Sequence, residues 1–215
     1  MKIGVFDSGV GGLSVFNAIK DALPEVEVIY AEDKKNVPYG NKSPEELYEL
    51  VLPILNTLSI SGCDIIVVAC NTVSTTLLDK LRPQLPTTLI GVEPMVQEAS
   101  NLTKTGVITV CATPVTLRSE RYKELKSVVA GDRVILEPDC SQWAYLIETN
   151  QIDRYIIRGI INNVLAQRSD VIVLGCTHYH WIEKDIKEIV GDRAVILQPE
   201  AKLIARLKKE IEQLG

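Results

Sequence analysis

Short apolar runs alternate with longer amphipathic segments along the whole chain. The runs fall at residues 2–6, 27–31, 64–69, 88–92, 106–110, 134–136, 170–175 and 194–197, and they predict strands. Helical spacing between them predicts helices over 13–23, from Pro44 to about 58, after Thr72 to about 81, after Thr116 to about Val128, and over 141–147, 153–166, 181–190 and 200–214. The start at Ser43 is clearly marked. Ser43 is an N-cap residue, Pro44 suits the first helical position, and Glu45 and Glu46 favour the positive end of the helix dipole. The alternation describes an α/β protein with parallel sheets.

Two of the strands are twins. Asp64–Thr72 reads DIIVVACNT and Asp170–His178 reads DVIVLGCTH. In each, an Asp precedes four apolar residues, a small residue and a cysteine. A continuous apolar run suits a strand buried on both faces. Each strand then presents a thiol, Cys70 or Cys176, at its C-terminal tip, where open α/β sheets bind ligands. The repetition predicts two related halves of roughly a hundred residues, with a site between them.

Composition narrows the class. The chain has 215 residues, 46% of them hydrophobic and 24% charged, with a net charge of -5. No basic cluster suited to phosphate neutralisation is present, so nucleic acid is not an expected partner. No apolar run reaches the roughly 18 residues of a membrane span. The N-terminal MKIGVFDSG turns polar too early for a secretory signal, so the expected setting is cytoplasmic. The five cysteines are then read as thiols, with Cys63, Cys111 and Cys140 as small core residues.

Three motifs compete for chemistry. Asp7-Ser8-Gly9-Val10-Gly11-Gly12 follows a strand and opens a helix, as a dinucleotide loop does. Its glycine spacing is wrong, and Asp7 would repel pyrophosphate. Asp7 and Ser8 serve either as helix caps or in a catalytic pocket. Cys176-x-His178-x-His180 offers zinc-ligand types, yet a metal there leaves Cys70 unexplained. Two matched thiols suit another reaction: one removes a proton from a carbon while the other delivers a proton to the opposite face. A thiol titrates at about 8.5, so modest tuning makes thiolate available. Asn71, Thr72, Thr113, Thr116 and Thr177 are short polar residues at strand tips that can hold a carboxylate where enolate charge develops.

These residues bring a family into view. FDSGVGGLSV at 6–15, VPYG at 37–40, ACNT at 69–72, Thr113-x-x-Thr116 with Ser119 and Tyr122, the stretch from Cys140 to Ile147-Glu148, and LGCTHY at 174–179 occur in one order across most of the chain. In these the sequence resembles the cofactor-independent aspartate/glutamate racemase superfamily and, within it, the glutamate racemases. The resemblance implies racemisation of L- and D-glutamate without cofactor or metal, a supply of D-glutamate for peptidoglycan, and a homodimer. It implies two α/β domains, 1–93 plus 197–215 and 94–196. It assigns Cys70 to the D-enantiomer and Cys176 to the L-enantiomer, with Asp7 assisting Cys70 and His178 and Glu148 assisting Cys176. Ser8, Pro38, Tyr39, Gly40, Asn71, Thr72, Thr113, Thr116 and Thr177 would hold substrate. A racemase for aspartate, and a weak paralogue that binds an acidic metabolite, are the alternatives. The chain departs from the family pattern at His180 and Trp181, where Pro and an aliphatic residue are usual, and at Gln198-Pro199-Glu200, where Asp-Ser is usual. It is also shorter than family members usually are.

Overall fold

The computed structural model describes all residues except Ala130, Asp132 and Gly215. Gly215, the last residue of the expected first domain, lies outside the described residues. The first half contains β1 (Lys2–Asp7), α1 (Leu13–Ala22), β2 (Glu27–Glu32), α2 (Pro44–Ile60), β3 (Ile65–Val68), α3 (Asn71–Leu81) and β4 (Thr88–Gly91). A short helix α4 (Val96–Leu102) leads to β5 (Val107–Ala112), α5 (Pro114–Arg118), α6 (Glu120–Val129), β6 (Val134–Leu136), α7 (Trp143–Glu148), α8 (Arg154–Ala166) and β7 (Val171–Gly175). After a 3-10 turn, Thr177–Ile182, come α9 (Glu183–Val190), β8 (Val195–Leu197) and α10 (Glu200–Leu214).

The strands form two four-stranded parallel sheets with the same winding, β2-β1-β3-β4 and β6-β5-β7-β8. In each sheet the chain winds outward in both directions from a central pair, β1 and β3 or β5 and β7. The crevice at the C-terminal ends of such a pair is where this architecture binds ligands. Cys70 follows β3 and Cys176 follows β7, so both thiols stand at switch points. All residues of β3 and β7 are buried, as their unbroken apolar runs require.

Local chemistry fixes the helix starts. Ser43 Oγ accepts from the Glu46 N–H (3.2 Å), and Glu46 Oε2 accepts from the Ser43 N–H (2.8 Å), a complete capping box ahead of Pro44. Asp153 Oδ1 caps α8 by accepting from the Tyr155 N–H (2.7 Å). The single helix expected to end near Val128 is two. Ser119 adopts an extended conformation, donates to the Thr116 carbonyl (2.8 Å) and accepts from the Tyr122 N–H (3.1 Å). It therefore ends α5 and begins α6. The expected helix over 181–190 begins instead as the 3-10 turn and becomes α-helical only at Glu183.

Apolar layers cover both faces of each sheet. Leu47, Val51 and Leu55 of α2 pack with Leu77 and Leu78 of α3 on one face of the first sheet. On its other face, Val15 and Ile19 of α1 pack with Leu203 and Leu207 of α10, so the C-terminal helix covers the first sheet. Ile157 and Ile161 of α8 and Ile186 of α9 cover the second sheet. Cys63, Cys111 and Cys140 are buried among these layers. No helix among the described residues is long and apolar enough to cross a membrane.

Leu55 is fully buried between α2 and the first sheet. Leu55→Ala is expected to lower unfolding stability by about 3 kcal/mol, through lost burial and a residual cavity. Urea denaturation of the two proteins measures the difference.

Candidate active site

The two switch points face each other. Ser8, Pro38, Tyr39, Gly40, Asn71, Thr72, Thr113 and Thr177 line one cavity together with Cys70, Cys176 and His178. It is narrow, with a water-accessible interior of ≈ 10 Å³. Cys70 Sγ donates to Ser8 Oγ (3.7 Å). Thr72 and Thr113 meet across the two halves at 2.9 Å, and Thr113 donates to Thr116 (3.0 Å). Asn71 is buried, and neither polar atom of its amide has a partner among the described residues. A buried amide of that kind is ready to bind a polar ligand.

The loop after β1 is pulled around Asp7. Asp7 Oδ2 accepts from the N–H groups of Gly9 (3.2 Å) and Gly12 (3.0 Å), while its Oδ1 accepts from the Thr177 hydroxyl (3.1 Å). That last bond crosses from the first half to the second. Gly11 is needed for the approach, since a Cβ there would lie 2.6 Å from the His178 nitrogen. A second crossing runs through Glu148, whose Oε1 accepts from the Val10 N–H (2.9 Å) and from His178 Nε2 (2.6 Å). His178 Nδ1 faces Cys176 Sγ at 3.9 Å.

Sequence comparison decides the family. The Asp/Glu/hydantoin racemase family matches residues 3–201. The chain belongs to this family. It is 38% identical over 199 residues to a glutamate racemase of Ralstonia pickettii, covering 91% of this chain and 71% of that one. Escherichia coli glutamate racemase, solved with L-glutamate and the activator UDP-MurNAc-Ala, superposes with a TM-score of 0.90 at 30% identity, over 98% of this chain and 82% of that one. Francisella tularensis glutamate racemase, solved with D-glutamate, gives a TM-score of 0.81 at 25% identity, over 99% and 81%. The protein is thus an isomerase of the amino-acid racemase class. The relatives extend beyond it, in agreement with its short length.

The two thiols of this racemase sit in unlike electrostatic settings. Burial, with the nearby Asp7 charge, pushes the Cys70 thiol up to about 12, so the modest tuning expected from sequence does not hold there. Burial pushes the Asp7 carboxyl up too, against the His178 charge and the donors from Gly9, Thr177 and Gly12. Burial opposes charge on His178, but its hydrogen bonds to Cys176 and Glu148 outweigh this and raise it to about 10. Burial also opposes charge on Glu148, yet the His178 and Val10 donors hold its carboxyl below the usual range. An imidazole held charged by its partners therefore stands beside Cys176, and the Asp7 carboxyl stands near Cys70. The helix dipole is likewise one-sided. Cys70 caps α3, whereas Cys176 precedes only the 3-10 turn.

Asp7, Thr116 and Glu148 lie outside the cavity lining, where they hold Thr177, Thr113 and His178. Ala144 lines the cavity, and Tyr30 donates to the Gly9 carbonyl. Neither was foreseen, because an alanine in an amphipathic helix and a tyrosine in a strand carry no signal of their own. The Cys176-x-His178-x-His180 run divides, since His180 meets Ser14 (2.9 Å) and Glu200 (2.8 Å) instead. Among the described residues, no three His, Cys, Asp or Glu side chains are placed to share one ion.

A raised folded-state His178 pKa contributes stability that is complete below its ordinary value of 6.5 and is lost as pH rises through about 10. Glu148→Gln removes one of the interactions that raise it. The variant is expected to titrate His178 at lower pH and to lose stability earlier on the alkaline side. Imidazole NMR checks this directly, because the chain has only two histidines.

Proposed function

We infer that this racemase interconverts L- and D-glutamate by a two-thiol mechanism and supplies the D-enantiomer for peptidoglycan. The observation that carries the reading is the pair of thiols from equivalent strand tips lining one cavity. The glutamate racemases of the comparison support the substrate, two of them with L- or D-glutamate bound. Residues 1–93 with 197–215 form one domain in this reading, and 94–196 form the other.

In the L to D direction, Cys176 acts as thiolate, paired with the imidazolium of His178 (3.9 Å). It removes the α-proton. Cys70, held as a thiol by burial and the Asp7 charge, delivers its proton to the opposite face. Turnover leaves Cys176 as thiol and Cys70 as thiolate. The reverse reaction starts from that state: the Cys70 thiolate, assisted by Asp7, takes the α-proton of the D-enantiomer, and Cys176 delivers its proton to the opposite face. Each step moves one proton and no other group, so no cofactor is required. The α-carboxylate gathers enolate charge in the transition state, and Asn71, Thr72, Thr113 and Thr177 supply donors around it.

Cys70→Ser and Cys176→Ser are each expected to lower glutamate racemisation by roughly 10³-fold or more, since a serine hydroxyl is a far weaker acid. Circular dichroism at a wavelength where the enantiomers differ follows turnover from either side. Full turnover in either variant contradicts the mechanism. A higher kcat/KM for aspartate than for glutamate contradicts the substrate.

A further inference from the structure

His178 and His180 leave the same 3-10 turn and serve different partners. His180 Nδ1 lies 2.9 Å from Ser14 Oγ and 2.8 Å from Glu200 Oε1. Ser14 is in the first turn of α1, and Glu200 is the first residue of α10. Both helices cover the first sheet. A side chain of the second half therefore grips two helices of the first. The grip is buried, with His180 3% and Glu200 17% exposed at the side chain. It is extended on one side by Ser14 Oγ, which donates to the Gly11 carbonyl (3.2 Å), and on the other by Trp181 Nε1, which donates to the Val10 carbonyl (3.2 Å). Gly11 is the residue where a Cβ would collide with the His178 backbone, and Val10 is the residue that Glu148 holds.

Two departures from the family pattern thus meet. A proline at 180 has no side-chain donor for Glu200, and Glu200 belongs to the Gln198-Pro199-Glu200 stretch that departs from the usual Asp-Ser. Here the joint is a directional hydrogen bond between an imidazole and a carboxylate. The reaction read above needs both thiols within reach of one carbon on opposite faces, and a misplacement of about 1 Å can cost on the order of 10²-fold.

We propose that His180, held between Ser14 and Glu200, is a positioning residue of this racemase. It fixes the turn that carries Cys176 and His178 against the loop that carries Asp7 and Ser8, and so sets the separation of the two thiols. The proposal rests on the two-thiol reading of the site.

Three variants test it. His180→Ala removes the donor. His180→Asn keeps a donor near the position of Nδ1, and Glu200→Gln keeps the acceptor. His180→Ala is expected to lower kcat about tenfold or more for both enantiomers, with a smaller change in KM. His180→Asn and Glu200→Gln are expected to stay within about threefold of the parent protein. If His180→Ala does not fold, His180→Gln takes its place, since its amide lies too far out to reach both partners. A second readout needs no turnover: iodoacetamide labelling of Cys176 relative to Cys70, mapped by peptide mass, is expected to rise in His180→Ala and to return in His180→Asn. Parent-like kcat and labelling in the alanine variant overturn the proposal. So does an asparagine variant no better than alanine. If the parent protein turns over neither enantiomer, the racemase reading fails, while the labelling ratio still decides whether His180 pins the turn.

Discussion

One carboxylate oxygen joins the two halves of the site. Oε1 of Glu148 accepts from the Val10 N–H at 2.9 Å and from His178 Nε2 at 2.6 Å. One donor belongs to the loop after β1 and the other to the turn after β7. Hydrogen bonds to charged groups contribute about 1.5–3 kcal/mol each, and an orphaned buried charge costs more. Losing Glu148 would therefore loosen the crossing and strip a buried imidazolium of its counter-charge together. His178 Nδ1 in turn faces Cys176 Sγ at 3.9 Å. The crossing between the halves and the placement of the imidazole beside Cys176 depend on the same atom.

The sheets repeat but the chemistry does not. β1 and β3 correspond to β5 and β7 in winding, and Cys70 and Cys176 stand at equivalent tips. Asp7 lies near one thiol and His178 near the other. A carboxylate beside a buried thiol disfavours the thiolate, and an imidazolium favours it. In the proposed two-base inversion these unlike neighbours fit the two thiols to opposite roles. Symmetry of the backbone places the groups, and asymmetry of the neighbours sets their surroundings apart.

Much of this was legible in the sequence. The buried strands announced themselves as unbroken apolar runs, and the matched Asp-to-Cys spacing singled out Cys70 and Cys176 before any family was considered. What stayed hidden has physical reasons. α4 is seven residues long, and only Val96 and Ala99 of it are buried, too few to set up a periodicity. The break at Ser119 depends on one hydroxyl that serves two backbone groups at once. Glu148 is unremarkable within its helix and became visible only through the family resemblance. It acquires its partners from residues 30 and 138 positions away. The high titration point of Cys70 follows from burial beside Asp7, which no local pattern encodes.

The central claim is that two thiols on opposite faces invert one carbon. Proton NMR of the α-proton in deuterated water tests it most directly, with L-glutamate and then D-glutamate and no added cofactor. The account predicts that each enantiomer loses its α-proton signal while its optical rotation decays, because the inverting proton comes from solvent. Unchanged α-proton signals from both enantiomers, with rotation intact, would contradict it.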